Sequence, residues 1–408
     1  MDNRAGWLGG LAVATLGVTA VAMAAETLYT LPIGDPARRD RQVQLQLDGI
    51  TDTATGELIT PEQLAARLAG VGLLFIGETH TRAEFHQVQL RTIQALHQAG
   101  REVLIGLEMF PVTQQASLDA WNAGHYTEAG FVELADWYRH WGYNWGYYRD
   151  IFLYAREHGL PMHAINAPRE VVTAVRMRDF DGLSEEQAQY LAHQVLPATD
   201  ALRRMYQRFF DEDDEMHVGG DALEGMLRAQ MTWDATMGWN AQAALEQHGG
   251  PDAIMVVLIG AGHVTYGLGS ERQLAPHYAG RIASLIPVET ANRNKEPLEA
   301  VQASYANFVW GVPASRETRY PSLEVSLMGP IGKRPGQLIQ VGKGSLAEQA
   351  GLRVGDVLLA LDGRPVTDGA SLRRLEAGYR WGDVLVARIE RDGSELDLTV
   401  PLRRSQAP

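Results

Sequence analysis

The 408-residue chain is predicted to be an α/β protein: a mainly parallel sheet flanked by helices, followed by a small β-rich module. Three observations predict this. Continuous apolar runs alternate with stretches of helical spacing between residues 71 and 288. Beyond about residue 319 the composition shifts to short Val/Leu-rich segments separated by Gly turns. Hydrophobic content of 45% and charged content of 21% suit a chain that builds its own core, without disulfides, since it has no cysteine.

The elements follow in order. Trp7 to Ala22 is almost wholly apolar or small, Arg4 precedes it, and Ala22-Met23-Ala24 offers a small-residue cleavage site. Residues 1–24 are therefore expected to be a secretory signal peptide. The alternative is a retained anchor, but the run is short of the ~20 residues a span needs. The mature protein is expected to be periplasmic or exported, with no membrane span. Residues 25–60 are polar and broken by Pro32, Gly34, Pro36 and Gly56, and read as an irregular arm on a domain spanning 25–290.

Five continuous apolar runs then read as strands buried on both faces: 71–76, 103–107, 160–165, 254–259 and 282–288. Helical spacing fills Ala83–Ala99, Arg149–His158 and much of 167–249, which includes the acidic stretch Asp211–Glu215. Residues 291–318 carry Asn, Lys, Glu and Pro without periodicity and read as a linker. Residues 319–405 form the β-rich module.

Composition excludes several functions. Without cysteine there is no thiol catalysis, no Cys-ligated zinc, no iron–sulfur cluster and no lipid anchor on an N-terminal Cys. With 36 basic against 50 acidic residues the net charge is −14, which repels phosphate backbones, so nucleic acid is excluded as a partner.

The chemistry-bearing residues lie at strand ends. Ile76-Gly77-Glu78-Thr79-His80 closes the first run and Ile259-Gly260-Ala261-Gly262-His263 the fourth, both Ile-Gly-x-x-His. Glu108 closes the second run and Asn166 the third. Ligands bind beyond the carboxyl ends of strands in open α/β sheets. The glycines before each His are expected to permit a sharp turn and leave room for a ligand. Glu78, His80, Glu108 and His263 are thus the candidate catalytic residues, and Glu78, His80 and His263 the candidate ligands of a divalent metal. A His–Glu pair activating water without metal is the other chemistry these residues allow. The bland alternatives are capping or core roles for the histidines, and an ion pair of Glu108 with an arginine such as Arg169. For His86 and His97, on the following helix, a structural role is expected. The block Trp137–Tyr154 holds eight Trp and Tyr residues. About half are expected in the core and the rest suit a flat apolar ligand.

Two resemblances follow. Gly344–Gly363, GSLAEQAGLRVGDVLLALDG, resembles the signature of bacterial PDZ domains. Ser345 is placed to cap a short helix, Gly351 to end it, and Ser371–Glu376 to begin the groove helix. The resemblance implies a peptide or protein segment as partner, bound by strand addition. At the expected carboxylate loop stands Leu323-Glu324-Val325, where Glu324 replaces a glycine and would repel a carboxylate. Phe75–His80, Leu107-Glu108-Met109-Phe110, Asn166-Ala167-Pro168-Arg169 and Gly260–Gly267, in that order, resemble the ChaN-like proteins. These are related to the TIKI and TraB proteins and the erythromycin esterases. The resemblance implies an α/β core and haem binding in bacterial iron uptake, with haem held by tyrosine at a homodimer interface. Tyr148 and Tyr266, with Arg169, are the candidate cofactor-binding residues on that basis. The leading expectation is an exported protein binding haem or a similar flat ligand, and the rival is a metal-dependent or His-activated-water hydrolase. An inactive scaffold is the third reading.

Overall fold

The computed structural model describes residues 27–211, 221–291, 296–314, 318–328, 334 and 336–404. The expected signal peptide lies outside the described residues, as do residues 212–215 of the acidic stretch. Among the described residues no helix is long and apolar enough to cross a membrane.

The main domain holds strands β1 (Gln42–Gln44), β2 (Ile50–Asp52), β3 (Leu58–Ile59), β4 (Val71–Glu78), β5 (Glu102–Pro111), β6 (Met162–Asn166), β7 (Ala253–Gly260), β8 (Arg281–Glu289), β9 (Ala300–Gln302) and β10 (Phe308–Val312). Eight of them form one sheet in the order β3-β2-β10-β8-β4-β7-β5-β6. From β10 to β6 every neighbouring pair is parallel, and β2 and β3 add an antiparallel edge. All five apolar runs are strands, β4 to β8. They are continuous because both faces are covered: Ile254, Val256 and Leu258 of β7 enter one core, and Met255, Val257 and Ile259 the other.

Two expectations are corrected. Part of the segment read as an arm supplies β2 and β3, and β1 pairs with β9. Part of the segment read as a linker is β10, which fills the place between β8 and β2. Val309 and Trp310 are fully buried there. Five residues between polar flanks give too short a period to stand out.

The C-terminal module has β11 (Val325–Leu327) paired with β12 (Leu338–Val341), and a sheet of β13 (Val357–Leu361), β14 (Arg364–Pro365), β15 (Val384–Arg391) and β16 (Ser394–Pro401) in the order β14-β13-β15-β16. Ser345 caps Leu346–Gln349 by accepting the Glu348 N–H at 3.1 Å, and Gly351 leaves that helix at φ +89°. Its helix Gly369–Glu376 packs against the main domain: the Arg373 guanidinium donates to the Tyr138 carbonyl at 2.9 Å, and Arg374 pairs with Glu133 at 2.8 Å.

Candidate functional site

The central strands β4, β7 and β5 are neighbours, so their carboxyl ends converge. Register sets Glu78 opposite Gly260, and the two Ile-Gly-x-x-His turns meet. The glycines serve close approach. Neither Gly77 nor Gly260 has a positive φ. A Cβ on Gly77 would lie 3.1 Å from the Ala261 Cα, and one on Gly260 3.2 Å from the His80 ring. The expected reason, a sharp turn, is replaced by packing of one motif on the other.

Glu78 is 2% exposed and collects donors. Its Oε1 accepts from the Tyr148 hydroxyl and from His80 Nδ1, each at 2.7 Å. Its Oε2 accepts from Gln89 Nε2 at 2.9 Å and lies 3.0 Å from His86 Nδ1. Burial alone would raise its carboxyl, but these neighbours hold it well below the carboxylate range. His86, as expected, is structural: it is buried and its Nε2 reaches the His80 carbonyl at 3.1 Å.

His80 keeps a quarter of its side chain exposed. Burial lowers its basicity, but the bond to Glu78 and the fields of Glu78 and Glu108 raise it overall. With Nδ1 engaged, Nε2 carries the lone pair of the neutral ring, and among the described residues it has no hydrogen-bond partner. Trp141 and Tyr143, both half-buried, flank the ring with centroids at 4.7 Å.

His263 is built differently. Its Nδ1 donates to the fully buried Asp234 at 2.6 Å, and its Nε2 lies 3.4 Å from Glu108. Burial opposes its charge, yet the two carboxylates push it up to about 10. A doubly protonated ring has no lone pair for a metal. Glu78 has both oxygens committed to protein donors. Among the described residues no three His, Cys, Asp or Glu are arranged to hold an ion. The set Glu78, His80 and His263 therefore does not fit a metal in this arrangement.

The His263–Asp234 pair has a pH signature. Its pKa is raised on folding, so its contribution is complete below the unfolded value near 6.5 and is lost as pH climbs toward about 10. Urea midpoints at about pH 6 and about pH 9 should fall in the wild type, by a few kcal/mol in stability, and far less in His263→Gln. Equal losses in both proteins would remove the pair from the account.

The remaining candidates are placed as follows. Glu108 is buried and takes the Gly260 N–H at 2.6 Å, with His263 beside it, so Arg169 is not its partner. Arg169 is exposed at the start of Arg169–Arg178. Asn166 donates to the Glu108 carbonyl at 2.8 Å and so braces the same strand ends. Tyr148 is fully buried, spends its proton on Glu78, and is pushed well above the usual phenol value by burial. Tyr266 is not brought to the cluster. It is buried at φ +63°, and its hydroxyl donates to the Leu28 carbonyl at 2.8 Å and accepts the Leu31 N–H at 3.0 Å. That strained conformation is held by the N-terminal segment. Sequence reasoning missed Asp234 and Gln89. A lone Asp inside the apolar turn Met231–Met237 of the helix Asp221–His248 was the available signal.

Comparison with known proteins gives the family and the fold. A family model described as "Haem-binding uptake, Tiki superfamily, ChaN" matches residues 64–274, and a PDZ domain model matches 339–387. ChaN of Campylobacter jejuni, solved with cofacial haem, shares the fold: TM-score 0.51, 16% identity, 65% of this chain and 98% of that one covered. A probable periplasmic serine endoprotease, DegP-like, of Ectopseudomonas mendocina (strain ymp) is 31% identical over 117 residues, 29% of this chain and 24% of its own length. The putative serine protease HhoA of Synechocystis is 37% identical over 71 residues, 17% of this chain and 18% of its own. The chain thus spans a quarter or less of these curated relatives.

Proposed function

The chain belongs to the haem-binding uptake (ChaN) family of the Tiki superfamily, and on that footing we propose that it binds haem, or a comparably flat ligand, beyond the carboxyl ends of β4, β5 and β7. The observation that supports this best is His80: a partly exposed imidazole, anchored through Nδ1 on buried Glu78, between Trp141 and Tyr143. The aromatic pair offers faces and edges to a macrocycle, and Nε2 offers a lone pair to its iron. Tyr148 and Tyr266, both committed to internal hydrogen bonds, are assigned supporting roles. Arg169, exposed, is available to a ligand carboxylate. Export is supported by the apolar segment before Ala22-Met23-Ala24 and places binding at the envelope. A homodimer, as the family resemblance implies, is part of this reading.

Haem titration of the purified chain, followed by absorption, tests the proposal. A saturable, shifted Soret band is expected. His80→Ala should weaken binding by about tenfold or more and move the band, while Tyr266→Phe should leave both unchanged. Because His80 must lose its proton to ligate, binding should tighten as pH rises. A featureless titration overturns the reading. It would favour the rival that the same dyad supports, water activated by His80 Nε2 with Glu78 behind it, tested by ester and peptide hydrolysis in wild type and His80→Ala.

A further inference from the structure

The PDZ domain carries a carboxylate where its ligand's carboxylate would go. Strand addition needs a free sheet edge and, for a free C-terminus, a nest of backbone N–H groups. Here β11 pairs with β12 on one side, and among the described residues no strand covers its other edge. Leu372 and Leu375 of helix Gly369–Glu376 share one core with Leu323, Val325 and Leu327. The loop entering β11 is Ser322-Leu323-Glu324, with Glu324 at φ +55°, a conformation that favours glycine. The Leu323 N–H, at the entry to β11, is already taken. It donates to Glu376 Oε1 at 2.7 Å.

Glu376 ends its helix, where the macrodipole disfavours a negative charge. Burial pushes its carboxyl up to about 7, against the Leu323 N–H and Arg373, which lower it, and with Glu324 adding repulsion. A carboxylate at the unfavourable end of a helix, half-buried and beside a second glutamate, is held there by the loop amide.

We propose that Glu376 is a built-in stand-in for a peptide's terminal carboxylate, so that this domain turns free C-termini away and takes an internal extended segment bearing a basic residue beside Glu324 and Glu376. The amide that would greet a terminal carboxylate is satisfied, and the exposed Glu324 beside it disfavours a further negative group. Among the described residues the outer edge of β11 has no paired strand, so a segment can be added there. A Lys or Arg at that end meets complementary charge.

The test uses the full chain and two immobilised pools of short random peptides, identical except that one ends in a free carboxylate and the other in an amide. The wild type should retain the amide pool about tenfold better, enriched in Lys and Arg. Glu376→Ala frees the Leu323 N–H and removes the carboxyl, and should raise retention of the free-acid pool by about tenfold. Glu324→Gln, at an exposed position, should reduce the Lys/Arg enrichment without that gain. Equal retention of both pools by the wild type, retention of neither, or no gain in Glu376→Ala overturns the proposal. A melting curve matching wild type certifies that each variant is folded.

Discussion

Glu78→Ala should cost about 3–5 kcal/mol of stability, lower the melting temperature by about 10 °C, and abolish ligand binding. The reason is the number of groups that depend on one side chain. Tyr148, His80, Gln89 and His86 all converge on this carboxylate, and Tyr148, Gln89 and His86 are buried. Removing it leaves buried donors without acceptors. The sign with pH follows from the depressed carboxyl. Its contribution is present above the unfolded value of about 4.5 and is lost as pH falls below it. Glu78→Ala should therefore also flatten the acid limb of the stability profile. Glu78→Gln keeps the shape but turns one oxygen into a donor facing donors, so it should fall between wild type and Ala. A loss under about 1 kcal/mol in Glu78→Ala would mean that solvent replaces the carboxylate and that Glu78 does not organise the site. Melting curves and urea titrations of the three proteins decide it.

That role was only partly legible in the sequence. The Ile-Gly-x-x-His repeat located the strand ends, because a strand buried on both faces writes itself as an unbroken apolar run and its first polar residue marks the exit. What each polar residue does there depends on what packs over it, and that comes from distant segments. Glu78 read as a ligand or base, but the helix Ala83–Gln98 and the aromatic block enclose it and convert it into a positioning residue. His263 read as the twin of His80, yet Asp234, from a helix about thirty residues earlier, turns it into a buried cation. The aromatic block divides in the same way. Trp137, Trp145 and Tyr148 fill the core, while Trp141 and Tyr143 reach His80, and no spacing rule separates these sets. The PDZ module was more legible because its turns need particular residues: Asp362, Gly351, Gly355 and Gly363 all sit at positive φ.

The boundary of the main domain gives the other large effect. A chain ending at residue 290 should fail to fold cooperatively, whereas one ending at 314 should fold. β10 lies between β8 and β2, so cutting before it exposes the edge of β8 and detaches β2, β3 and the partner of β1. Four buried apolar side chains leave with it: Phe308, Val309, Trp310 and Val312. At about 1.5–3 kcal/mol each, their loss approaches the entire stability of a typical domain, about 5–15 kcal/mol. Polar connections go as well. Asn307 Oδ1 accepts the Ser284 N–H at 2.9 Å, the Ala306 carbonyl accepts from the Thr53 hydroxyl at 2.6 Å, and the Tyr305 carbonyl takes the N–H of strained Tyr266 at 2.8 Å. The last of these ties the cut to the site, since Tyr266 lies three residues beyond His263. Within the intact chain, Trp310→Ala alone should cost about 3–5 kcal/mol, because it opens a cavity and removes the ring under Arg91. Near-ultraviolet circular dichroism and thermal melts of the two shortened chains separate the cases. If the chain ending at 290 melts cooperatively at the temperature of the longer one, β10 is dispensable, and the polar segment after β8 is the linker its composition suggests.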